Sequence, residues 1–403
     1  MSDDEEKSVT APEVAVDSEP VTDLSNSDVC TKYQEASKVV NLTLEGLVTQ
    51  TIVGAKVLDL CAFGTTVMEA ATSKLYTKKV NGKAIDRGVA FPVCVSVNDI
   101  VCNFSPLEGL PEVTPPLKAG DIVKFDLGCH IDGYIAVVAH TVVVKETEDS
   151  PAPPEDPELA KCAVAAYNAM LVAAASIAAG KTNTDVTKAV DRVAKAYGVT
   201  PISSVRMHQM KRYVLDGVKE VALKEITPDD PPEEKVPNCT FEQAEVYAVD
   251  VAMSTGDGRA RPGAMRTTVY KRNVEQSYQL KVKASRQLLA EVDKKYPTLP
   301  FTMRDLSDVR AAKLGMNECV NHGLLTPYPS LHDYSGKVAH FKCTVLLLPS
   351  GTCRVTGLKL PEYFTTDTEA DEETQKILTE IADGEAKKAA KKAAKKAAKK
   401  AKK

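Results

Sequence analysis

The most restrictive feature of the sequence is a long internal repeat in which two helices are joined through a glycine. Residues 32–75 contain two amphipathic helical stretches that meet at Gly54. The same order returns over residues 158–197, where the two stretches meet at Gly180 and Gly198 follows the second. The predicted helices cover 32–53, 57–75, 158–179 and a last stretch that ends at Tyr197 and is capped by Asn183 or Thr184.

Each helical pair is followed by β-type sequence with one carboxylate inside an apolar strand. Asp126 lies 72 residues after Gly54, and Asp250 lies 70 residues after Gly180. This spacing is too long for a solenoid, whose repeats span about 20–50 residues. It therefore predicts an α/β (α+β) domain built from two similar halves. The predicted strands are 122–129, 134–144, 245–251 and 338–348, with Asp132-Gly133 as the hairpin turn between the first two.

The region before the last predicted strand is expected to be mainly helical, with helices over 277–298 and 303–324. The chain then divides into three predicted parts. They are an acidic N-terminus over 1–29, a central domain, and a C-terminal segment over 363–403.

The two ends of the chain carry opposite charges. Residues 1–29 hold nine acids and one lysine, whereas residues 387–403 hold ten lysines and no acid. Blocks of like charge at a terminus are typical of disordered segments, so we predict disorder at both ends.

The basic end repeats Ala-Ala-Lys-Lys, and its charge density favours contact with RNA. Alanine favours a helix, but lysines four residues apart repel each other, so we expect the tail to become helical only on a polyanion. The alternatives are a solvated tail and a nuclear-import signal. The lysines predicted to contact RNA are Lys387, Lys388, Lys391, Lys392, Lys395, Lys396, Lys399 and Lys400.

Composition excludes several classes of protein. The 403 residues are 43% hydrophobic, and no apolar run approaches the roughly 18 residues of a membrane span. The first residues, Met-Ser-Asp-Asp-Glu-Glu, do not have the pattern of a secretory signal. The ten cysteines include no C-x-x-C pair, which predicts reduced thiols rather than a disulfide framework or a structural zinc site.

The two strand carboxylates suggest a shared site, because a buried carboxylate is costly unless it is paired or bound to a metal. With a two-residue turn at Asp132-Gly133, Asp126 faces Ala139 and has Val137 as its diagonal neighbour. A two-metal site would require a second carboxylate at one of these places. The central polar residue of the last strand is Lys342, which either replaces a metal beside Asp126 or reaches solvent at a strand edge.

Four segments resemble the type 2 methionine aminopeptidases and occur in the same order, over about residues 30–362. They are 90–98, 124–133, 246–250 and 341–347. Segments 139–141, 266–272 and 300–304, together with the basic tail, are more similar to non-catalytic relatives of that enzyme, the proliferation-associated or ErbB-receptor-binding protein family. The resemblance implies the pita-bread fold for residues 30–362, in which two pseudo-symmetric halves surround a pocket. It also implies that the helical region at about 272–335 is an insertion into this domain.

The resemblance also implies where the metal ligands of the enzyme fall. Asp126 keeps the first aspartate, and Asp250 stands one methylene shorter in place of a glutamate. Val137 replaces the second aspartate, and Lys342 replaces the last glutamate. The histidine ligand falls on His208, in an alignment that contains one gap.

A further histidine of the enzyme's active site falls on Asn103. Because a valine cannot bridge two cations and an ammonium repels them, we predict a pseudo-enzyme with no catalytic residues, no metal and no other cofactor. The alternative is a metal-dependent methionine aminopeptidase with a degenerate site built from Asp126, His208 and Asp250.

The function that the resemblance implies is that of an RNA- and ribosome-binding adaptor. Its implied partners are the large ribosomal subunit near the nascent-chain exit, with rRNA and exit-region ribosomal proteins, and other RNA remains open. The implied roles are in ribosome assembly, translation and growth regulation. We further expect a monomer that does not bind membranes and is found in the cytoplasm and in the nucleus or nucleolus. Besides the tail, the residues predicted to bind are Arg266, Lys271, Arg272, Lys281 and Lys283.

Overall fold

The structure is a computed structural model that describes residues 22–80, 82–109, 115–147, 149–150, 153–226 and 235–401. Of residues 388, 389 and 391–401 it describes the backbone alone. The disorder predicted for residues 1–21 therefore lies outside the described residues. So do the side-chain contacts predicted for every tail lysine after Lys387.

The α-helices are α1 (Ser27–Thr49), α2 (Val57–Thr72), α3 (Pro157–Ser176), α4 (Asn183–Tyr197), α5 (Lys283–Lys295), α6 (Val309–Asn321) and α7 (Glu372–Ala401). The strands are β1 (Arg87–Val97), β2 (Ile100–Cys102), β3 (Ile122–Ile131), β4 (Tyr134–Val143), β5 (Thr200–Pro201), β6 (Arg206–Met210), β7 (Glu220–Ala222), β8 (Val246–Ser254), β9 (Arg261–Pro262), β10 (Val269–Arg272), β11 (Phe301–Thr302), β12 (Leu325–Tyr328), β13 (Leu331–His332), β14 (Val338–Leu348) and β15 (Gly351–Arg354).

The main sheet confirms the two similar halves predicted from the repeat. Its strands follow the order β1-β3-β4-β14-β8-β6-β7, with β15 beside β14 and β5 beside β8. From the outside inward, one half is β1-β3-β4 after α1 and α2, and the other is β7-β6-β8-β14 after α3 and α4. Asp126 and Asp250 lie on β3 and β8, the second strand from the centre of the sheet in each half.

The helices cover one face of this sheet, and polar residues collect on the other. Along β3, Phe125 and Leu127 belong to the core beneath α1 and α2, whereas Asp126 points the opposite way because side chains alternate along a strand. Along β8, Val249 and Val251 belong to the core beneath α3 and α4, so Asp250 also faces away from the helices. The two carboxylates therefore lie on the same, helix-free face.

The turn between β3 and β4 has the predicted geometry. Asp132 has φ 56° and Gly133 has φ 78°, the left-handed pair that a two-residue hairpin turn requires. The resulting register places Asp126 opposite Ala139, as expected.

The predicted cap of α4 is displaced by one residue. The side chain of Thr182 accepts a hydrogen bond from the backbone N–H of Asp185, and Asp185 reciprocates at the backbone of Thr182. Asn183 instead donates to the backbone oxygens of Glu220 and Pro237 and so holds two neighbouring segments together. Gly198 ends the helix with φ 62°, as predicted.

The insertion contains more strand than the sequence indicated. Strands β11-β10-β12 form a small sheet, and helices α5 and α6 are shorter than predicted. Residues 303–305 are a short 3-10 helix instead of the start of a long one. Phe301 of β11 and Met316 of α6 belong to a separate core inside this unit. Because short strands and helices bury apolar residues in the same core, the apolar positions of the strands fit a helical spacing in the sequence.

Both ends of the described chain are more ordered than predicted. Helix α1 starts at Ser27 with Asn26 as its cap, and Leu24 and Val29 are buried. At the other end, α7 runs without interruption to Ala401. Its first part is anchored by ion pairs of Arg192 with Glu373 and of Arg354 with Glu385, so the alanine-rich part continues a helix that has already formed.

One helix in the described part of the chain, α3, is long and apolar enough to cross a membrane by length and composition. It packs against α4, β8 and β14, and 61% of its apolar window is buried inside the protein. Burial of this kind is expected of a core helix, which explains its high hydropathy without a membrane.

Candidate functional site

A cavity of about 230 Å³ lies on the helix-free face of the main sheet. Adjacent strands each contribute side chains to its floor, and the short strands β2 and β13 add Cys102 and Leu331. The structure brings all five positions of the implied metal site to this one cavity. Its lining includes Phe91 from β1, Asp126 from β3, Val137 from β4, Lys342 from β14, Asp250 from β8 and His208 from β6.

Lys342 occupies the centre of the site. Its Nζ lies 2.6 Å from Oδ2 of Asp126 and 2.9 Å from Oδ2 of Asp250. The ring of Phe91 lies beneath the ammonium, with its centroid 5.5 Å from Nζ. Of the two interpretations drawn from the sequence, compensation of Asp126 is therefore the one that the geometry supports, and the solvent-facing alternative is wrong.

The electrostatics of the site keep Asp250 and Lys342 charged. Burial would raise the pKa of Asp250, but Lys342 and then His340 outweigh it and lower that pKa to about 2. Burial would likewise lower the pKa of Lys342, but the charges of Asp126 and Asp250 hold it well above its usual range. The result is a buried triad of two carboxylates and one ammonium.

His340 is a member of the site that the sequence reasoning missed. Its Nε2 lies 2.6 Å from Oδ1 of Asp250, and the residue is buried. Together with Asp126 and Asp250 it forms the one group in the described chain whose potential ligand atoms lie within 4.8 Å of one another. The signal was present, because His340 precedes Lys342 by two positions on a strand and must share its face.

His208 lines the cavity but is not part of that group. Its Nδ1 faces Oε1 of Glu220 at 3.9 Å, and Glu220 also pairs with Arg206 at 2.8 Å. Burial lowers the pKa of His208, which favours a neutral imidazole. The three-ligand set proposed with His208 is therefore corrected to one with His340.

Val137 and Asn103 occupy positions where the resemblance to the aminopeptidases implies ligating or reacting groups. The backbone of Val137 exchanges hydrogen bonds with Oγ1 of Thr344, and its side chain offers the cavity only methyl groups. Asn103 lies in the left-handed region with φ 63°, which asparagine tolerates well, and its Nδ2 donates to the backbone oxygen of Pro329.

The side chains of this cavity do not fit a pair of metal ions. Val137 has no ligand atom, and Nζ of Lys342 lies within hydrogen-bond distance of both carboxylates that would hold the ions. An ammonium at that place repels divalent cations and uses the oxygens they need.

The predicted RNA-binding residues of the insertion fall into two groups. Lys271 pairs with Asp216, and Arg272 pairs with Asp293 while donating to three backbone oxygens, so its side chain is only 12% exposed. Arg266, Lys281 and Lys283 are exposed and form no ion pair with another described residue. Only this second group has the free cations that the prediction requires, and Lys387 is exposed as well.

The sequence is similar to a family of peptidases and to several of its relatives. The family model described as metallopeptidase family M24 matches residues 31–229. The chain is 44% identical to "ERBB-3 BINDING PROTEIN 1" of Solanum tuberosum over 374 residues, which cover 92% of this chain and 89% of the relative. It is 41% identical to "Proliferation-associated protein A" of Dictyostelium discoideum, covering 85% and 86%.

Two further similarities bear on the fold and the function. The chain is 37% identical to "Curved DNA-binding protein" of Schizosaccharomyces pombe, covering 85% of this chain and 86% of the relative. Among solved structures, that of a thermophilic Arx1 superposes with a TM-score of 0.77 at 27% identity, covering 88% of this chain and 98% of the other.

Proposed function

Because the chain belongs to the proliferation-associated and ErbB-3-binding proteins of metallopeptidase family M24, with the pita-bread fold, we propose that it is a non-catalytic adaptor for RNA and the large ribosomal subunit. In this proposal it acts near the nascent-chain exit in ribosome assembly, translation and growth regulation. It contacts rRNA and exit-region ribosomal proteins as a monomer in the cytoplasm and the nucleolus.

The observation that carries the non-catalytic part is the position of Lys342. Its ammonium binds Asp126 and Asp250 at 2.6 Å and 2.9 Å, where the aminopeptidase mechanism requires metal ions. Without such ions the cavity has nothing to activate a water or to polarise a peptide carbonyl. Arg206 and Asp216 of the lining are held in ion pairs with Glu220 and Lys271, and Asn103 donates to the backbone oxygen of Pro329.

The surface of the insertion supports the nucleic-acid part. The backbone N–H groups of Lys281 and Val282 donate to Glu318 of α6, and the backbone at Ala284 packs against Gly315. The start of α5 thus lies beside Leu314. We call the surface of Lys281, Val282, Lys283 and Leu314 the insertion face.

The insertion face combines cations with exposed apolar side chains. Leu314 is 75% exposed and Val282 is 47% exposed. The ammonium groups of its two lysines form no ion pair in the part of the chain that the structure describes. Uncompensated cations beside apolar groups suit a ribosomal surface, where phosphates and protein side chains alternate.

The C-terminal helix supplies a second contact in this proposal. Its first part is fixed to the body, and its lysine-rich part begins at Lys387. Each phosphate contact neutralised by a lysine steepens the salt dependence of binding by roughly 0.7–0.9 in a log–log plot. The Schizosaccharomyces pombe relative is named a DNA-binding protein, which is consistent with binding to a phosphate backbone.

The test is cosedimentation with purified large ribosomal subunits at two salt concentrations. Lys281→Glu/Lys283→Glu and, separately, removal of residues 386–403 should each weaken binding. The truncation should also flatten the salt dependence. The matched control is Lys181→Glu/Lys188→Glu, which reverses the charge of two exposed lysines far from the insertion in sequence. Lys181 lies just before α4 and Lys188 lies on it, and α4 packs against α3 and β7.

If the control and the insertion variant lose equal ribosome affinity, the loss comes from net charge alone, and the proposed contact at the insertion face is refuted. Unchanged affinity and salt slope on truncation would exclude the tail as a contact. Fluorescent tagging of the full chain tests the cytoplasmic and nucleolar location.

The alternative function, a methionine aminopeptidase with a degenerate site, makes an opposite prediction. It requires stoichiometric metal and turnover of a Met-initiated peptide by the purified chain, and both should be abolished by Asp126→Ala. Absence of turnover in a metal-supplemented assay, beside an active aminopeptidase as positive control, supports the adaptor.

A further inference from the structure

We propose that the ammonium of Lys342 and a single divalent cation are alternative occupants of one site, formed by Asp126, Asp250 and His340. In the native protein Lys342 is the occupant and excludes the metal. Removing the ammonium should therefore create a metal-binding protein whose folding stability responds to divalent cations.

The ligand set exists already in the fold. Ligand atoms of Asp126, Asp250 and His340 lie within 4.8 Å of one another, and they come from three strands of one rigid sheet. Two carboxylates and one imidazole are a donor set that first-row divalent ions such as Mn²⁺ and Zn²⁺ accept. His340 occupies none of the positions to which the enzyme's ligands map, so this set is distinct from the inherited one.

The site keeps unused acceptor capacity even with Lys342 in place. Asp126 is only 4% exposed, and its buried Oδ1 has no hydrogen-bond partner in the described chain. Nδ1 of His340 is also buried without a partner there. Buried polar atoms are normally paired, so Oδ1 of Asp126 is a carboxylate oxygen that is still available to a bound cation.

Lys342 prevails over a free ion because it is tethered. A covalently attached cation has a high effective concentration at its site and does not need to be drawn from solution. The two ion pairs and the ring of Phe91, with its centroid 5.5 Å from Nζ, hold it there. Val137 contributes no ligand, which limits the site to one ion after the ammonium is removed.

The experiment compares wild type with Lys342→Met in a thermal denaturation assay, each with EDTA or with MnCl₂ or ZnCl₂. Wild type should show no cation response. In Lys342→Met, a cation at a hundred times its dissociation constant should raise Tm by about 3 °C for a chain of this size. Metal analysis after gel filtration should give one ion per chain in the variant alone.

Two controls separate this result from general effects. Lys124 is another buried lysine, but its Nζ donates to the backbone oxygen of Asn98, so Lys124→Met should give no cation response. Adding Asp126→Asn to Lys342→Met removes one ligand and should abolish the shift. If Lys342→Met does not fold, Lys342→Gln, which keeps a polar tip, is assayed in the same way.

The proposal is overturned if the Lys342 variants bind no cation at millimolar concentration, or if wild type responds equally. Ribosome binding has no part in this assay. A failed cation response would therefore leave the proposed adaptor function to its own test.

Discussion

Lys124 should make the protein less stable at neutral pH than at mildly alkaline pH. It lies on β3, two residues before Asp126, and is 1% exposed. Its Nζ donates to the backbone oxygen of Asn98 at 2.6 Å, and no carboxylate in the described residues lies within ion-pair distance. Burial lowers the pKa of Lys124 from 10.5 to about 7, against a smaller opposing effect of Asp99.

The direction and the size of this change in unfolding free energy follow from proton linkage. Between pH 7 and pH 9 the unfolded chain keeps the proton on this amine, whereas the folded chain loses it. Because the unfolded state then binds more protons, stability rises with pH, by about 2 kcal/mol over this interval for the stated pKa values. Lys124→Met fills a similar volume and removes the titration, although it loses one hydrogen bond worth about 1 kcal/mol.

The assay is urea denaturation of wild type and Lys124→Met at pH 7, 8 and 9 in reducing buffer. Other titrating groups, including the buried thiols, are common to both proteins, so the difference in unfolding free energy isolates Lys124. We expect wild type to gain about 2 kcal/mol relative to the variant between pH 7 and pH 9. A difference that stays constant with pH would show that the amine keeps its proton in the fold and would refute the reasoning.

Three further predictions concern the site and the hairpin. Lys342→Ala leaves two buried carboxylates without their cation and should cost about 3–5 kcal/mol in urea denaturation, whereas a change near zero would contradict the ion triad. Because the folded-state pKa of Asp250 is lowered from 3.8 to about 2, wild type should lose roughly 2 kcal/mol as pH falls from 4 to 2, and Asp250→Asn should not show this loss. Gly133→Ala should cost about 1–3 kcal/mol, since φ is 78° and a Cβ would overlap the ring of Tyr213, while the control Gly120→Ala, with φ 84° and its nearest neighbour 3.8 Å away, should cost less.

Much of the fold was predictable because it depends on local periodicity. The alternation along residues 338–348 predicts β14 with the bounds observed, and Asp132-Gly133 sets the register of β3 against β4. The spacing of Asp126 and Asp250 from the preceding glycines predicts the two halves. These signals survive in a single sequence because each is enforced by a buried face or by a backbone angle.

The parts that were missed depend on contacts between distant segments. The sequence contains six histidines, and nothing in its pattern joins His340 to Asp250, because only the pairing of β14 with β8 brings the two together. In the insertion, short strands pair across residues 269–328, and two-residue strands such as β11 have no periodicity to detect. Arg272 has the sequence signature of a surface cation, yet its partners come from three separate segments.

The arrangement of charges explains why one substitution on the central strand changes the character of the whole site. Each half of the sheet contributes one carboxylate: Asp250 lies on β8, which is adjacent to β14, and Asp126 lies on β3, one strand beyond β4. The long side chain of Lys342 at the centre of β14 reaches both of them. With an acid there, three carboxylates would repel one another until metal ions entered. With Lys342 there, the same geometry is held by two ion pairs at 2.6 Å and 2.9 Å, and the halves stay together without any dissolved ion. The adaptor function proposed above would benefit from this, because the shape of the site does not depend on metal supply. The cation response of the Lys342 variants measures that dependence directly.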